Sequence, residues 1–419
     1  MRDGQTDAPE LARHVCHSGA GTSATRRFDV LSPYDGTVIG RAPDIDVQTL
    51  ASSFDEGSRV AGNLQNTHPI QERLRSWAGK IGSQHEELAR VVSLETGKPI
   101  RFARVEVATA LAALNAYCSC PSIPLVRDWT AARSAFSILN WRDPVLATVK
   151  EAIAVLSSGR ALVIKPSSRA PLASRTLASL WAEGGNLDKL LCVAPSINAI
   201  GMLRTALRSS HVTEVRFHGS RDVGSYVSRA CHEAVVPVKI SQSERAPMVI
   251  DADADIDAGC DAVIERVFLP PLLAGPERVS CLYVHNSVAD ALVAILIDRA
   301  ARLHIGDPVD EQTQIGPVID DVAAAFVSEQ VDDALLDGAT LAAGLVVLDG
   351  RLIQPIVLDH AKPFMRVCVE EAEGPILPVI RFGHQSELPR TMCLTTNTLT
   401  PSVTGERGDW SRPSSYNSN

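Results

Sequence analysis

The 419-residue sequence lacks several features that assign a chain quickly to a class. Its nine cysteines include no Cys-x-x-Cys pair and no zinc-ligand spacing, and their odd number favours reduced thiols over a disulfide framework. No apolar run approaches the roughly 18 residues of a membrane helix. The polar stretch Met1–Gly21 has no apolar core of a secretory signal. These absences predict a cytoplasmic protein without a metal site.

Positive charge is also scarce. The 40 Lys and Arg residues are outnumbered by 49 Asp and Glu, which gives a net charge of -9. Nucleic acids and anionic membranes both select clustered Lys and Arg, so neither is expected as a partner. What is present is a hydrophobic fraction of 45% in a chain long enough for two or three domains with large cores.

The apolar pattern changes along the chain. Residues Phe28–Pro43 are typical of a hairpin, and Ile70–Leu94 place apolar residues at the three- and four-residue spacing of helices. From about residue 136 to 250, short apolar runs alternate with helical stretches, which predicts βαβ units and a parallel sheet. A second α/β unit is expected from residue 251 to about 382, with its clearest helix starting near Asn286.

Seven segments, taken in order, are similar to one known family. They are Ser32–Gly40, Ser93–Pro99, Val163–Ser167, Phe217–Ser220, Ile305–Pro308, Thr313–Pro317 and Glu370–Pro375. Between about residue 28 and residue 382 the chain thus resembles the aldehyde dehydrogenases, with His218 in place of a family threonine. The resemblance implies an α/β fold: a Rossmann-like parallel-sheet cofactor domain and a second, truncated α/β catalytic domain.

This resemblance suggests a division of the chain. We expect a disordered tail at 1–27, an NAD(P)-binding domain at 28–242, a catalytic-like domain at 243–390 and an irregular tail at 391–419. The stretch 117–140 is short for the family's projecting oligomerisation hairpin. The tail after Phe382 lacks the segment that normally closes the catalytic domain and pairs across the dimer. An oligomer with incomplete dimer elements is therefore expected.

NAD or NADP is the cofactor that the resemblance implies. Lys165 would bind the adenine ribose hydroxyls, Gly219 and Ser220 would hold the diphosphate at a helix N-terminus, and Glu371 would bind the nicotinamide ribose. Trp141 belongs to the same set of cofactor-binding positions.

Two further positions bear on that cofactor. Ser168 stands where the family often has a glutamate that repels the 2′-phosphate of NADP, and Arg169 beside it would attract that phosphate. Glu373 replaces an aromatic residue with a charge, which predicts weakened or absent cofactor binding.

The family's reaction needs a cysteine nucleophile, an asparagine amide for the oxyanion and a glutamate base. The glutamate position is Ser241 here and the asparagine position is Arg142. Counting from the flanking motifs places the nucleophile at Gly275 or Pro276, and neither is a cysteine. Losing the covalent nucleophile alone removes several orders of magnitude of rate.

The sequence therefore predicts an aldehyde dehydrogenase family protein, by descent an NAD(P)-dependent oxidoreductase that converts aldehydes to carboxylic acids, with activity impaired or lost. Three alternatives stay open. In the first, the protein is an active enzyme whose nucleophile is a displaced thiol such as Cys281. In the second, it is a non-enzymatic pseudoenzyme that binds a nucleotide or a partner. In the third, the chain has no stable fold.

Overall fold

The computed structural model describes residues 26–64, 68–119, 133–182, 185–242, 245–269, 278–344, 350–371, 373–388, 392 and 402–404. The chain forms two compact units. The first unit takes in the described residues up to 242 together with Ile305–Ile319. The second takes in those from 245 to 304 and from 320 onward. In the described part of the chain, no helix is both long and apolar enough to cross a membrane.

The first unit opens with the predicted hairpin and a group of helices. Strand β1 (Arg27–Leu31) pairs antiparallel with β2 (Val38–Pro43), as expected. The helices that follow are α1 (Val47–Gly62), α2 (His68–Ser83), α3 (His85–Thr96) and α4 (Ile100–Ser119). Helices α2 and α3 confirm the prediction over Ile70–Leu94, whereas α1 and α4 were not predicted. Helix α1 has a readable start signal, since the Asp46 carboxylate accepts a bond from the Thr49 amide.

A five-stranded parallel sheet follows, which confirms the predicted βαβ pattern. Its strands are β3 (Ser134–Ile138), β4 (Ala161–Lys165), β5 (Leu191–Val193), β6 (Val212–Gly219) and β7 (Val238–Gln242). Their order in the sheet is β5-β4-β3-β6-β7. The intervening elements are α5 (Pro144–Leu156), α6 (Leu172–Trp181), a 3-10 helix (Asn186–Leu190), α7 (Ala199–Arg208) and α8 (Arg221–Glu233). The strand order reverses between β3 and β6, and such a switch point is where doubly wound sheets bind ligands.

Both faces of this sheet are covered. Leu162 and Ile164 point into a core that also holds Trp77 and Trp181, whose rings meet edge to face at 5.7 Å. The alternate residue Val163 points into a second core on the opposite face. Continuous apolar strands are the sequence signature of such a doubly covered parallel sheet.

The second unit is built on a six-stranded mixed sheet. Its strands are β8 (Arg245–Ile250), β9 (Arg278–His285), β10 (Thr340–Ala343), β11 (Ile356–Asp359), β12 (Ile376–Phe382) and β13 (Ser402–Thr404), in the order β10-β11-β12-β9-β8-β13. Its helical elements are α9 (Ile256–Val263) with a π-helical continuation (Ile264–Phe268), α10 (Asn286–Ala301), α11 (Asp321–Leu336), α12 (Arg366–Val369) and a 3-10 helix (Gln385–Glu387). Helix α10 starts where it was predicted. Strand β13 was not predicted, because three residues are too few to show a period.

A buried glutamate links α3 to α6 within the first unit. Glu95 is fully buried, and its carboxylate accepts hydrogen bonds from the amides of Leu172 (2.7 Å) and Ala173 (2.9 Å). The residue before α6 is Pro171, which makes no side-chain cap of its own. Glu95 therefore supplies the N-terminal cap of α6 from a distant part of the chain.

A second buried glutamate caps α5 in the same way. Glu106 accepts bonds from the amides of Val145 (2.9 Å) and Leu146 (3.2 Å). Its other oxygen pairs with the Lys98 ammonium at 2.5 Å, and Lys98 also binds Asp143 at 2.8 Å. Lys98 thereby fixes the loop that leads into α5.

The same helix ending also packs against the segment Ile305–Ile319. Helix α3 ends at Gly97 with φ +76°, and a side chain on Gly316 would begin 1.9 Å from the Gly97 carbonyl oxygen. The Pro308 carbonyl accepts bonds from the Ser93 hydroxyl and the Ile100 amide. Glycine at 97 and 316 thus permits a close backbone approach. We call residues Glu95–Lys98 the α3 junction.

Replacing Glu95 by Ala should lower the free energy of unfolding by about 1–3 kcal/mol, since two buried amides lose their acceptor. Urea denaturation followed by far-UV circular dichroism measures this. Glu72→Ala, on an exposed helix face, is the control and should stay within about 0.5 kcal/mol of wild type. Equal stabilities for the two variants would contradict the capping role.

Candidate functional site

The candidate site residues of the first unit lie at one edge of the parallel sheet. Strand β3 leads into Trp141, β4 ends at Lys165, β6 leads into Ser220, and Ser241 lies near the end of β7. In a parallel sheet the carboxyl ends of all strands share an edge, so the fold brings these four positions to the same side.

Lys165 is a buried ammonium group that does not use all of its hydrogen-bond donors within the described residues. Its side chain is 5% exposed, and among the described residues it makes a single hydrogen bond, 2.9 Å to the Pro166 carbonyl. Burial lowers the pKa of Lys165 to about 8, and the negative charge of Asp44 opposes this only in part. Two N–H donors remain for hydroxyl or phosphate oxygens of a ligand.

Ser168 and Arg169 lie in the turn that follows β4. Both are half-buried, and the Arg169 amide donates to the Ser167 hydroxyl at 3.2 Å. This turn runs from Lys165 to the start of α6, where Glu95 supplies the cap. Within this turn Arg169 supplies a positive charge, and no residue supplies a negative one.

The N-terminus of α8 offers backbone donors at the switch point. Ser220 is its N-cap residue, and the Ser220 side chain makes no cap hydrogen bond. The first-turn amides of this 13-residue helix are suited to an anionic group such as a diphosphate, and the acidic Asp222 in the same turn opposes it. Two large apolar side chains on the same helix, Val223 and Tyr226, are exposed. The sequence analysis did not single them out.

Trp141 and Arg142 form a local pair in the loop after β3. The Arg142 guanidinium carbon lies 5.2 Å from the centre of the Trp141 ring, and both residues are half-buried. The Arg142 amide donates to the Asn140 side-chain oxygen at 3.1 Å, so Asn140 caps the loop. A bulky cation therefore occupies the position at which the family resemblance implies an asparagine amide.

Among the described residues, the position expected for the base does not carry a carboxylate, and the displaced candidate for the nucleophile is buried. Ser241 is exposed, and a serine hydroxyl is not basic enough to replace a carboxylate. Gly275 and Pro276 lie outside the described residues. Cys281, in β9, is 0% exposed, and its sulfur lies 3.7 Å from the Cys368 carbonyl oxygen. Cys281 thus has the surroundings of a small apolar core residue.

Glu371 lies in the second unit, directly after α12. It is half-buried, as is Glu373. The preceding residue, Glu370, pairs with Arg366 at 3.1 Å, which fixes the chain where this segment begins.

One polar cluster was missed by the sequence analysis. Glu151 of α5 is almost fully buried and binds His218 at 2.9 Å and Arg216 at 2.6 Å. A signal for it was present, because Glu214, Arg216 and His218 alternate along β6 in an otherwise apolar strand. His218 had been noted only as a departure from the family motif.

The fold and this edge define a doubly wound α/β protein with a ligand edge at its switch point. The model of the "Aldehyde dehydrogenase family" matches residues 20–409. A succinate-semialdehyde dehydrogenase [NADP(+)] of Escherichia coli K12 is 27% identical over 86% of this chain and 78% of its own length. A glutarate-semialdehyde dehydrogenase of Pseudomonas putida KT2440 is 25% identical over 86% and 78%.

A solved structure of an aldehyde dehydrogenase has the same fold. The aldehyde dehydrogenase of Brucella melitensis biovar abortus 2308 superposes with a TM-score of 0.82 at 22% identity, covering 92% of this chain and 83% of that one. The chain belongs to the aldehyde dehydrogenase family.

The burial of Cys281 predicts that its thiol is unreactive in the folded protein. Brief treatment with iodoacetamide and peptide mass spectrometry should find Cys118, which is partly exposed, alkylated well before Cys281. In urea, Cys281 should react as fast as the other thiols. Rapid native alkylation of Cys281 would instead support a displaced nucleophile.

Proposed function

We propose that the protein is a nucleotide-binding aldehyde dehydrogenase family member in which aldehyde oxidation is impaired or lost. The observation that supports nucleotide binding is that a buried Lys165 ammonium and an α8 N-terminus without a side-chain cap lie at the same edge of the sheet. The observation that supports impairment is the exposed hydroxyl of Ser241 and the bulky Arg142 cation at positions that need a carboxylate and an amide.

NADP is the cofactor that these residues favour. Lys165 would bind the adenine ribose, and the α8 amides and Ser220 the diphosphate; the bound dinucleotide would supply a hydride acceptor. With Ser168 in place of a glutamate, the turn after β4 carries no negative charge against a 2′-phosphate, and Arg169 adds a positive one. The Escherichia coli relative carries NADP(+) in its name, in line with this preference.

The substrate class under this proposal is a small aldehyde. The relatives named for succinate semialdehyde and glutarate semialdehyde act on aldehydes that bear a carboxylate. Any remaining aldehyde oxidation would therefore be assayed first with aldehydes that bear a carboxylate.

The Ser168→Glu variant tests the cofactor assignment. Wild type should bind NADP more tightly than NAD, measured by isothermal titration. Ser168→Glu should weaken NADP binding about 10- to 100-fold, since two negative charges then face each other, and leave NAD binding nearly unchanged. Ser52→Glu places the same charge on an exposed face of α1 and serves as the control.

Two results would contradict the proposal. Tighter binding of NAD than of NADP by wild type would refute the preference, and no binding of either would refute the nucleotide site. The proposed impairment would be refuted if the protein formed NADPH from succinate semialdehyde with a turnover number of about 1–10³ per second, the range typical of enzymes.

A further inference from the structure

The first unit contains two lysines that have little contact with solvent, and their surroundings differ. Lys98 pairs with Glu106 at 2.5 Å and with Asp143 at 2.8 Å. Burial opposes its charge, but the two carboxylates outweigh burial and raise the pKa of Lys98 above its usual value. Lys165 is the contrasting case. Among the described residues no carboxylate oxygen lies within 4.0 Å of its nitrogen, and its one hydrogen bond goes to the Pro166 carbonyl.

The Lys165 side chain lies beside an apolar core. Side chains alternate along a strand, so Lys165 projects from β4 on the same face as Val163. Val163 belongs to a core that also includes Phe136 and Ile45. The residue opposite Lys165 in β3 is Ile138, which packs against this core. An ammonium charge at this position is therefore removed from water without a paired carboxylate, which is unfavourable.

These surroundings favour the neutral amine of Lys165. Burial lowers its pKa to about 8, and the charge of Asp44, in the loop between β2 and α1, opposes this only in part. At a pH of about 7.5, about a quarter of such a group is neutral, against about 0.1% of an ordinary lysine with a pKa of about 10.4. The neutral amine has a lone pair, and desolvated lysines are the residues that form Schiff bases with carbonyl compounds in enzymes.

We propose that Lys165 binds small aldehydes covalently, as an imine at its side-chain nitrogen. Lys165 ends β4 at the carboxyl edge of the parallel sheet, one strand from the switch point, and this edge is where doubly wound sheets take up ligands. The substitutions at Ser241 and Arg142 do not affect this chemistry, because the amine itself is the nucleophile. Imine formation is separate from aldehyde oxidation and does not need a bound dinucleotide.

Imine formation needs neither an oxidant nor a cofactor. The lone pair of the Lys165 nitrogen forms a bond to the aldehyde carbon, and one N–H proton passes through solvent to the carbonyl oxygen, which gives a carbinolamine. The carbon–oxygen bond then breaks, and the hydroxyl group leaves as water with the second N–H proton. A carbon–nitrogen double bond takes its place. Because water reverses both steps, Lys165 returns to the free amine when the aldehyde concentration falls.

Reductive trapping tests this proposal in the full chain. The protein is incubated with excess succinate semialdehyde and sodium cyanoborohydride at a pH of about 7.5, without a dinucleotide, and peptide mass spectrometry locates the reduced adducts. Lys165 should be modified at least about tenfold faster than Lys150, an exposed lysine of α5, because its larger neutral fraction outweighs its lower basicity. The Lys165→Arg variant keeps the charge and should lose this adduct, whereas Lys150→Arg should leave the trapping rate at Lys165 unchanged.

The pH dependence of trapping separates an activated amine from one that is only accessible. The ratio of the rates at Lys165 and Lys150 cancels the effect of pH on the reductant. This ratio should fall about tenfold or more between about pH 7.5 and about pH 9.5, because Lys165 is largely neutral above pH 8 while an ordinary lysine is not. Unmodified Lys165, a rate no higher than that of Lys150, or a ratio that stays constant with pH would overturn the proposal. Both rates are measured in the wild-type chain, so the result does not depend on the folding of a variant.

Discussion

The buried Glu95 carboxylate at the start of α6 is the constraint on which the first unit depends. Burial raises the pKa of Glu95 to about 8, and the amides of Leu172 and Ala173 compensate in part for the burial of the carboxylate. The turn that starts at Lys165 ends at this cap. In the same α3 junction Lys98 holds Asp143, which closes the loop carrying Trp141 and Arg142. One helix ending therefore fixes two of the loops that form the candidate nucleotide site.

This dependence explains why the residues of the α3 junction match a family motif. Glu95, Gly97 and Lys98 make buried contacts, so replacing any of them would cost stability. Ser241 is exposed and Arg142 is half-buried beside Trp141, so neither position has a comparable packing role. The fold therefore constrains these two positions less than it constrains the α3 junction.

The sequence predicted the hairpin, the parallel sheet and helix α10, because continuous apolar runs and helical spacing are local patterns. The family resemblance singled out Lys165, Ser220 and Ser241, and the parallel sheet brings these three residues to one edge. It did not predict the capping by Glu95 or the His218–Glu151 pair. Both join residues far apart in the chain, and a buried charge shows no period. Strand β13 was missed for a different reason, since its three residues pair with β8 only in the folded chain.

The central claim is that the chain retains the scaffold without a catalytic cysteine, and trapping of the covalent intermediate tests it most directly. The protein is mixed with NADP and succinate semialdehyde, quenched in acid and mapped by peptide mass spectrometry for an acyl group on any of its nine cysteines. Under the proposed function Ser241 stands in place of the base that would hydrolyse a thioester, so any acylated thiol would accumulate. The account predicts no acylated cysteine. One cysteine acylated in proportion to NADPH formed would contradict it.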